Sequence, residues 1–124
     1  MQFGPAVPIL RSFDEAKARE FWVDYLGFEM VWEHRFEPDL PLYMEIRRGG
    51  CTLHISEHHG DATPGARIRV EVPEIANLHA ELTAKNYANA RPGLEDKPYG
   101  TREFTVTDPF GNSAVFWAWQ PDQS

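Results

Sequence analysis

The sequence predicts an α+β protein. Two βαβββ modules, roughly residues 1–59 and 64–119 of a single 124-residue domain, form a curved mixed sheet around a cleft, with the helices on its convex side. Three observations predict this. The order strand, helix, three strands occurs twice, with a period of about sixty residues. Short runs alternate apolar and polar residues with Gly and Pro between them, the mark of half-buried strands. Two longer runs place apolar residues at three- and four-residue steps, the mark of helices lying on a sheet.

The first strand is expected at residues 6–10, and Pro8 confines it to an edge or an early position. A helix then starts at Asp14. Ala18, Phe21, Trp22, Tyr25 and Leu26 form its buried stripe, and Gly27 stands where a left-handed cap would stop it. Residues 28–36 alternate, with Phe28, Met30, Trp32, His34 and Phe36 on one side and Glu29, Glu33 and Arg35 on the other. Residues 41–47 alternate again, with Leu42, Met44 and Ile46 together. The Gly49-Gly50 turn leads into a strand over residues 51–56.

Residues 57–65 are polar and predict a linker. The second module opens with a strand over 66–72, where Ile68, Val70 and Val72 oppose Arg67, Arg69 and Glu71. A helix over 74–86 follows, buried through Ile75, Leu78 and Leu82. A short strand is expected near 88–91, then strands over 101–107 and 113–119 joined by the turn Asp108-Pro109-Phe110-Gly111-Asn112. Residues 50–55 align in pattern with 111–116. Neither half has enough strands to close a core comfortably alone, so the two are expected to pack together.

Composition narrows the function. Twelve Lys and Arg against nineteen Asp and Glu give a net charge of −7. A nucleic-acid binder normally carries a basic stripe, so no nucleic-acid partner is expected. The acidic balance suits solubility and also a cationic ligand. Aromatic residues make up 13% of the chain, more than a core of this size requires. Cys51 is the single cysteine, which excludes an intrachain disulfide and suits a reducing cytoplasm. No run approaches the ~18 apolar residues that span a bilayer, so no membrane association is expected.

Two local motifs carry a resemblance. Phe21-Trp22-Val23-Asp24-Tyr25-Leu26-Gly27-Phe28 resembles the first-helix-to-second-strand stretch of the vicinal-oxygen-chelate superfamily, which holds glyoxalases, extradiol dioxygenases, fosfomycin-resistance enzymes and bleomycin-resistance proteins. Tyr99-Gly100-Thr101-Arg102-Glu103-Phe104, followed by Asp108 to Asn112, resembles the second-module motif of the same group. Residues 6–10 and Lys85-Asn86-Tyr87 are similar to the bleomycin-resistance branch. The likeness covers nearly the whole chain, and fold alone does not fix the chemistry.

Enzymes of that superfamily usually hold a divalent metal through His or Glu on the outer strands of each module. The resemblance places those positions near Val7, His54, Arg67 and Val115. Only His54 is a metal donor, and Arg67 would set a positive charge beside the ion. No metal, cofactor or catalytic set is therefore expected, and enzymatic activity is not the favoured reading. His58 and His59, with His54 and Glu57, form a donor-rich stretch. Adjacent histidines rarely aim at one ion, so they are read as a polar loop. His34 is read as a strand-face residue and His79 as an exposed helix residue. Cys51 is read as a buried strand cysteine rather than a nucleophile. Glu103 is either a base or a strand glutamate paired with Arg67 or Arg69.

With Val115 facing inward, the resemblance turns Ser113, Trp117 and Trp119 to the cleft, and Ala114, Phe116 and Ala118 to the helices. His54, Arg67, Arg69 and Glu103 share the inward side. Trp32 and Phe36 are expected on its wall, and Tyr99 on the loop where bleomycin-resistance proteins carry a ring that touches the drug. The expected ligand site is thus Trp32, Phe36, His54, Arg67, Tyr99, Glu103 and Trp117. Aromatic walls suit planar ligands, and carboxylates suit cations.

The leading expectation is a metal-free protein that sequesters a bleomycin-like glycopeptide antibiotic. The alternatives are a lyase or dioxygenase with an altered metal set, and a binding module for an ordinary metabolite. A homodimer is implied, with an exchanged N-terminal strand in which Pro8 acts as a hook. In that case Trp32, Trp117 and Trp119 either line the cleft or pack between subunits.

Overall fold

The computed structural model describes residues 1–87 and 92–121. The first module contains β1 (Ile9–Arg11), α1 (Glu15–Arg19), a π-helical segment (Glu20–Tyr25), β2 (Glu29–His34), β3 (Tyr43–Arg48) and β4 (Cys51–Ser56). The second contains β5 (Arg67–Glu71), α2 (Ile75–Lys85), β6 (Glu95–Asp96), β7 (Thr101–Thr107) and β8 (Ser113–Trp119). The strands form two four-stranded sheets in the orders β1-β4-β3-β2 and β5-β8-β7-β6. The second order repeats the first. In each sheet the opening strand runs parallel to the last strand of its module, and the remaining pairs are antiparallel.

The first helix begins where Asp14 caps it, its carboxylate accepting from the Lys17 amide at 3.0 Å. The chain then widens into the π-helical segment, where the Leu26 amide reaches the Phe21 carbonyl at 2.9 Å. Gly27, at φ +75°, ends the run, and an added Cβ would meet the Arg48 guanidinium at 2.8 Å. The second helix stops at Asn86, whose left-handed backbone (φ 50°) supplies its cap.

Both sheets bury one face against the helices. Leu10, Met44, Ile46, Leu53 and Ile55 from the first sheet share one core with Phe104, Val106, Ala114, Phe116 and Ala118 from the second. Phe21, Trp22 and Leu82 fill the space on the helix side. A buried polar clamp joins the halves. The Trp22 indole N–H donates to Asp108 Oδ2 at 3.1 Å. Asn112 Nδ2 donates to the same oxygen at 2.9 Å and to the Arg11 carbonyl at 2.8 Å. The turn expected at 108–112 is therefore also a bolt. Its remaining Asp108 oxygen accepts from the Phe110 and Asn112 amides.

Several elements differ from the sequence reading. The first strand lies at Ile9–Arg11 rather than 6–10, because Pro5 and Pro8 have no amide for the ladder, although the Pro8 carbonyl accepts from the His54 amide at 2.9 Å. The alternation over 28–36 breaks at a register shift between Met30 and Trp32. Met30 pairs with Ile46 on the core side, whereas Trp32 pairs with Glu45 on the other. One extra residue, Val31, thereby turns Trp32 and His34 away from the face of Phe28 and Met30, and turns Glu33 toward the helix, where it pairs with Arg19. His79 is half-buried rather than exposed. Its ring packs on Phe104 at 5.3 Å, and Nε2 bonds the Pro92 carbonyl at 2.9 Å. The strand expected near 88–91 lies outside the described residues.

Candidate functional site on the helix-free faces

Alternation places the chemistry. Leu53 and Ile55 point into the core, so His54 between them points to the helix-free face of the first sheet. Met44 and Ile46 do the same for Tyr43, Glu45 and Arg47. Trp32 joins them because of the Val31 bulge. Its ring lies parallel to Tyr43, with centroids 5.7 Å apart and planes at 10°, and meets the His54 edge at 5.4 Å. His54 is held at both nitrogens. Nδ1 bonds the Tyr43 hydroxyl at 2.6 Å, and Nε2 bonds Glu45 Oε1 at 2.9 Å. Arg47 donates to the other Glu45 oxygen at 3.3 Å. Glu45 is half-buried, while Trp32 is 41% exposed.

A second patch occupies the matching face of the second sheet. Arg69 grips Glu103 with both terminal nitrogens, at 3.3 and 2.9 Å. Thr101 (2.8 Å) and Tyr99 (3.2 Å) donate their hydroxyls to Glu103 Oε2. The Arg69 guanidinium also lies over the Trp117 ring at 5.3 Å, and Trp119 meets Trp117 edge-on at 5.5 Å. The Arg69 charge and these hydroxyl donors hold the Glu103 carboxyl down at about 2. Glu103 is therefore ionised throughout the physiological range and already paired. It is the partner of Arg69, not a free base.

Of the residues expected from sequence, Trp32 and His54 meet on the first sheet, and Tyr99, Glu103 and Trp117 meet on the second. No hydrogen bond, ion pair or ring contact among the described residues joins the two patches. Phe36 follows β2, is largely exposed, and packs on His34 at 4.9 Å, apart from Trp32. Arg67 pairs with Ser113 at the start of β5 and takes no part in the Glu103 cluster. Tyr43, Glu45, Arg69 and Thr101 complete the two patches. The first two alternate with Leu42, Met44 and Ile46, so parity could have placed them on this face without marking their role.

The donor set does not fit the superfamily's metal. The strand partner of His54 is Ile9, and that of Val115 is Arg69, each two residues on from the positions expected from sequence. Val115 is buried, and both His54 nitrogens are engaged. Among the described residues no three His, Cys, Asp or Glu side chains gather. His58 uses its backbone instead: its amide donates to Ser56 Oγ and its carbonyl accepts from Arg11. Burial pushes the Cys51 thiol up, away from nucleophilic use.

A cavity of about 520 Å³ lies elsewhere, between the β3–β4 hairpin and the start of α2, floored by Phe28, Val70, Leu78 and Phe116. Its one cation, Arg48, already chelates Glu81 at 2.9 and 3.0 Å and bonds the Leu26 carbonyl. The hollow and the reactive groups are thus in different places, and the exposed rings and charges favour the helix-free faces.

Residues 1–122 match the family model described as glyoxalase superfamily protein. The chain belongs to the glyoxalase superfamily. Its fold is shared with a bleomycin-binding protein crystallised with bleomycin, at a TM-score of 0.72 and 18% identity, covering 95% of this chain and 100% of that one. It is also shared with TnmS3, an antibiotic-binding protein from Streptomyces sp. CB03234, at 0.72 and 18%, covering 97% and 100%. A superfamily member from Sphaerobacter thermophilus DSM 20745 aligns at 0.70 and 21%, covering 94% and 98%. No curated protein matches the chain. No helix among the described residues is long and apolar enough to cross a membrane.

Proposed function

We propose that this glyoxalase-superfamily chain is a metal-free binding protein that sequesters a planar, cationic small molecule, with bleomycin-type glycopeptides as the leading class. The observation that carries the reading is the Trp32–Tyr43 stack, left open beside the Glu45 carboxylate. A flat heteroaromatic group gains ring contact there, worth roughly 0.5–1.5 kcal/mol beyond area burial. The net charge of −7 draws a cation toward the protein. The second patch offers Trp117 and Tyr99 for another part of the same ligand. Two proteins that share the fold are described as binding bleomycin or an antibiotic, which supports the ligand class.

The two patches would serve one ligand if a second copy sets its second sheet opposite the first sheet of this chain. Residues 1–7 are exposed and outside any strand, with Phe3 at 86% and Val7 at 40%. Such an arm suits exchange in a cytoplasmic homodimer.

Tryptophan fluorescence followed during addition of metal-free bleomycin tests the binding. Saturable quenching near one drug per subunit is the expected result. A flat signal, with zinc or nickel bound tightly instead, contradicts it. Sedimentation at micromolar concentration tests the dimer, and a monomer at all concentrations removes it.

A further inference from the structure

The face around Trp32 carries more chemistry than stacking needs. Tyr43, His54 and Glu45 form a continuous chain of hydrogen bonds, 2.6 Å and 2.9 Å long. An ionised carboxylate only accepts, so Nε2 holds its proton toward Glu45. Nδ1 is then the acceptor, and the Tyr43 hydroxyl donates to it. The phenol oxygen keeps lone pairs to offer a ligand. Edge contacts from Trp32 at 5.4 Å and Tyr43 at 5.2 Å fix the imidazole plane. This is the logic of a hydroxyl–imidazole–carboxylate triad, with a phenol in the first place.

The surrounding charges are accounted for. On β3, Arg47 binds Glu45 and Thr52. From the loop after β4, Asp61 accepts from Ser56 at 2.7 Å. On β1, Arg11 donates to the His58 carbonyl. On β2, His34 packs on Phe36. None of these side chains hydrogen-bonds Tyr43 or His54. Burial, with Asp61 and Glu45 nearby, pushes the Tyr43 phenol up, so it remains a proton donor at neutral pH.

We propose that Tyr43, His54 and Glu45 form a proton relay for planar aromatic ligands that carry a weakly acidic hydroxyl. The proposal rests on the stacking face described above. The ligand lies against the Trp32–Tyr43 pair with its hydroxyl donating to the Tyr43 oxygen. One proton passes from the ligand oxygen to the Tyr43 oxygen while the Tyr43 proton passes to His54 Nδ1. The ligand becomes an oxyanion that accepts from Tyr43. His54 becomes an imidazolium that donates to Tyr43 and to Glu45. No electrons are exchanged, and the charge of the complex does not change. Tyr43 touches the ligand, His54 acts through it, and Glu45 positions His54.

Paired absorbance titrations with 7-hydroxycoumarin and 7-methoxycoumarin test this. Both should bind. The bound hydroxycoumarin should show its phenolate band below the pH at which it ionises in water, its apparent pKa lowered by about one unit or more. Tyr43→Phe, which removes one oxygen from a half-buried ring, should lose the phenolate band while its circular dichroism stays that of the wild type. His54→Asn should lose it as well. Binding of both compounds with the hydroxyl still protonated overturns the relay and leaves the stacking face standing. A phenolate band that survives in both variants also overturns it. Binding of neither compound overturns the relay and the stacking face together.

Discussion

The two sheets have the same topology and opposite chemistry at their centres. In the first, the pair formed by the opening and closing strands is Ile9 and His54. In the second it is Arg69 and Val115. Around His54 the side chains form a hydrogen-bonded chain beside an open ring stack. Around Val115 they form an ion pair closed on itself, with Glu103 buried and accepting from Arg69, Thr101 and Tyr99. A repeated scaffold has thus supplied one face that ends in an open ring pair over a hydrogen-bonded His54 and one built on a buried carboxylate gripped by Arg69. Alignment of the halves by pattern alone would have treated them as equivalents.

The largest effect should come from cutting the support that the two faces share. Asp108 on the second module holds Trp22 of the first and the amides of its own turn. Asp108→Ala leaves buried donors without acceptors and should cost about 3 kcal/mol of stability, read by urea denaturation. Both faces should lose ligand affinity together. Loss from only one face would show that they do not depend on a common clamp.

The next largest effect separates the two faces by pH. Glu103→Gln removes the charge that Arg69 neutralises and should destabilise by roughly 1–3 kcal/mol at pH 7. The native Glu103 carboxyl lies at about 2, below its ordinary 4.5. Its stabilisation is therefore complete above about 4.5 and fades as pH falls toward about 2. The gap between wild type and variant should close over that window. A constant gap would place the Glu103 contribution in packing rather than charge.

Ligand affinity separates the two faces as well. Trp32→Ala and Trp117→Ala should each weaken metal-free bleomycin roughly twofold to tenfold, with the fold retained by circular dichroism. If only Trp32 matters, the second face is a structural ion-pair network rather than half a binding site. The smallest effect belongs to Arg67→Ala. This exposed side chain lies outside the Glu103 cluster and should change stability by less than about 0.5 kcal/mol.

The fold was largely legible because both its periodicities appear in the side chains. Ile68, Val70 and Val72 mark one strand face, and Phe21, Trp22 and Tyr25 mark one helix face. The site was legible only in pieces. A backbone bulge leaves no mark in an alternating run, so Trp32 reads as a neighbour of Met30 when Val31 in fact turns it to the opposite face. Partner choice was also hidden. Arg67 and Arg69 have the same parity, and only the β5–β8–β7 geometry gives Glu103 to Arg69. Tyr43 and Glu45 had the right parity but no motif to mark them. Their significance arises from cross-strand pairing with Ser56 and His54, which sequence spacing does not encode.

In the proposed function, ligand meets the protein on the open rings of the helix-free faces. The four tryptophans supply one indole N–H reporter each. In a two-dimensional NMR titration with metal-free bleomycin, the Trp32 and Trp117 signals should shift in step and saturate, while buried Trp22 stays in place. Movement of Trp22 with Trp32 and Trp117 unchanged would put the ligand elsewhere and rule out binding on these faces.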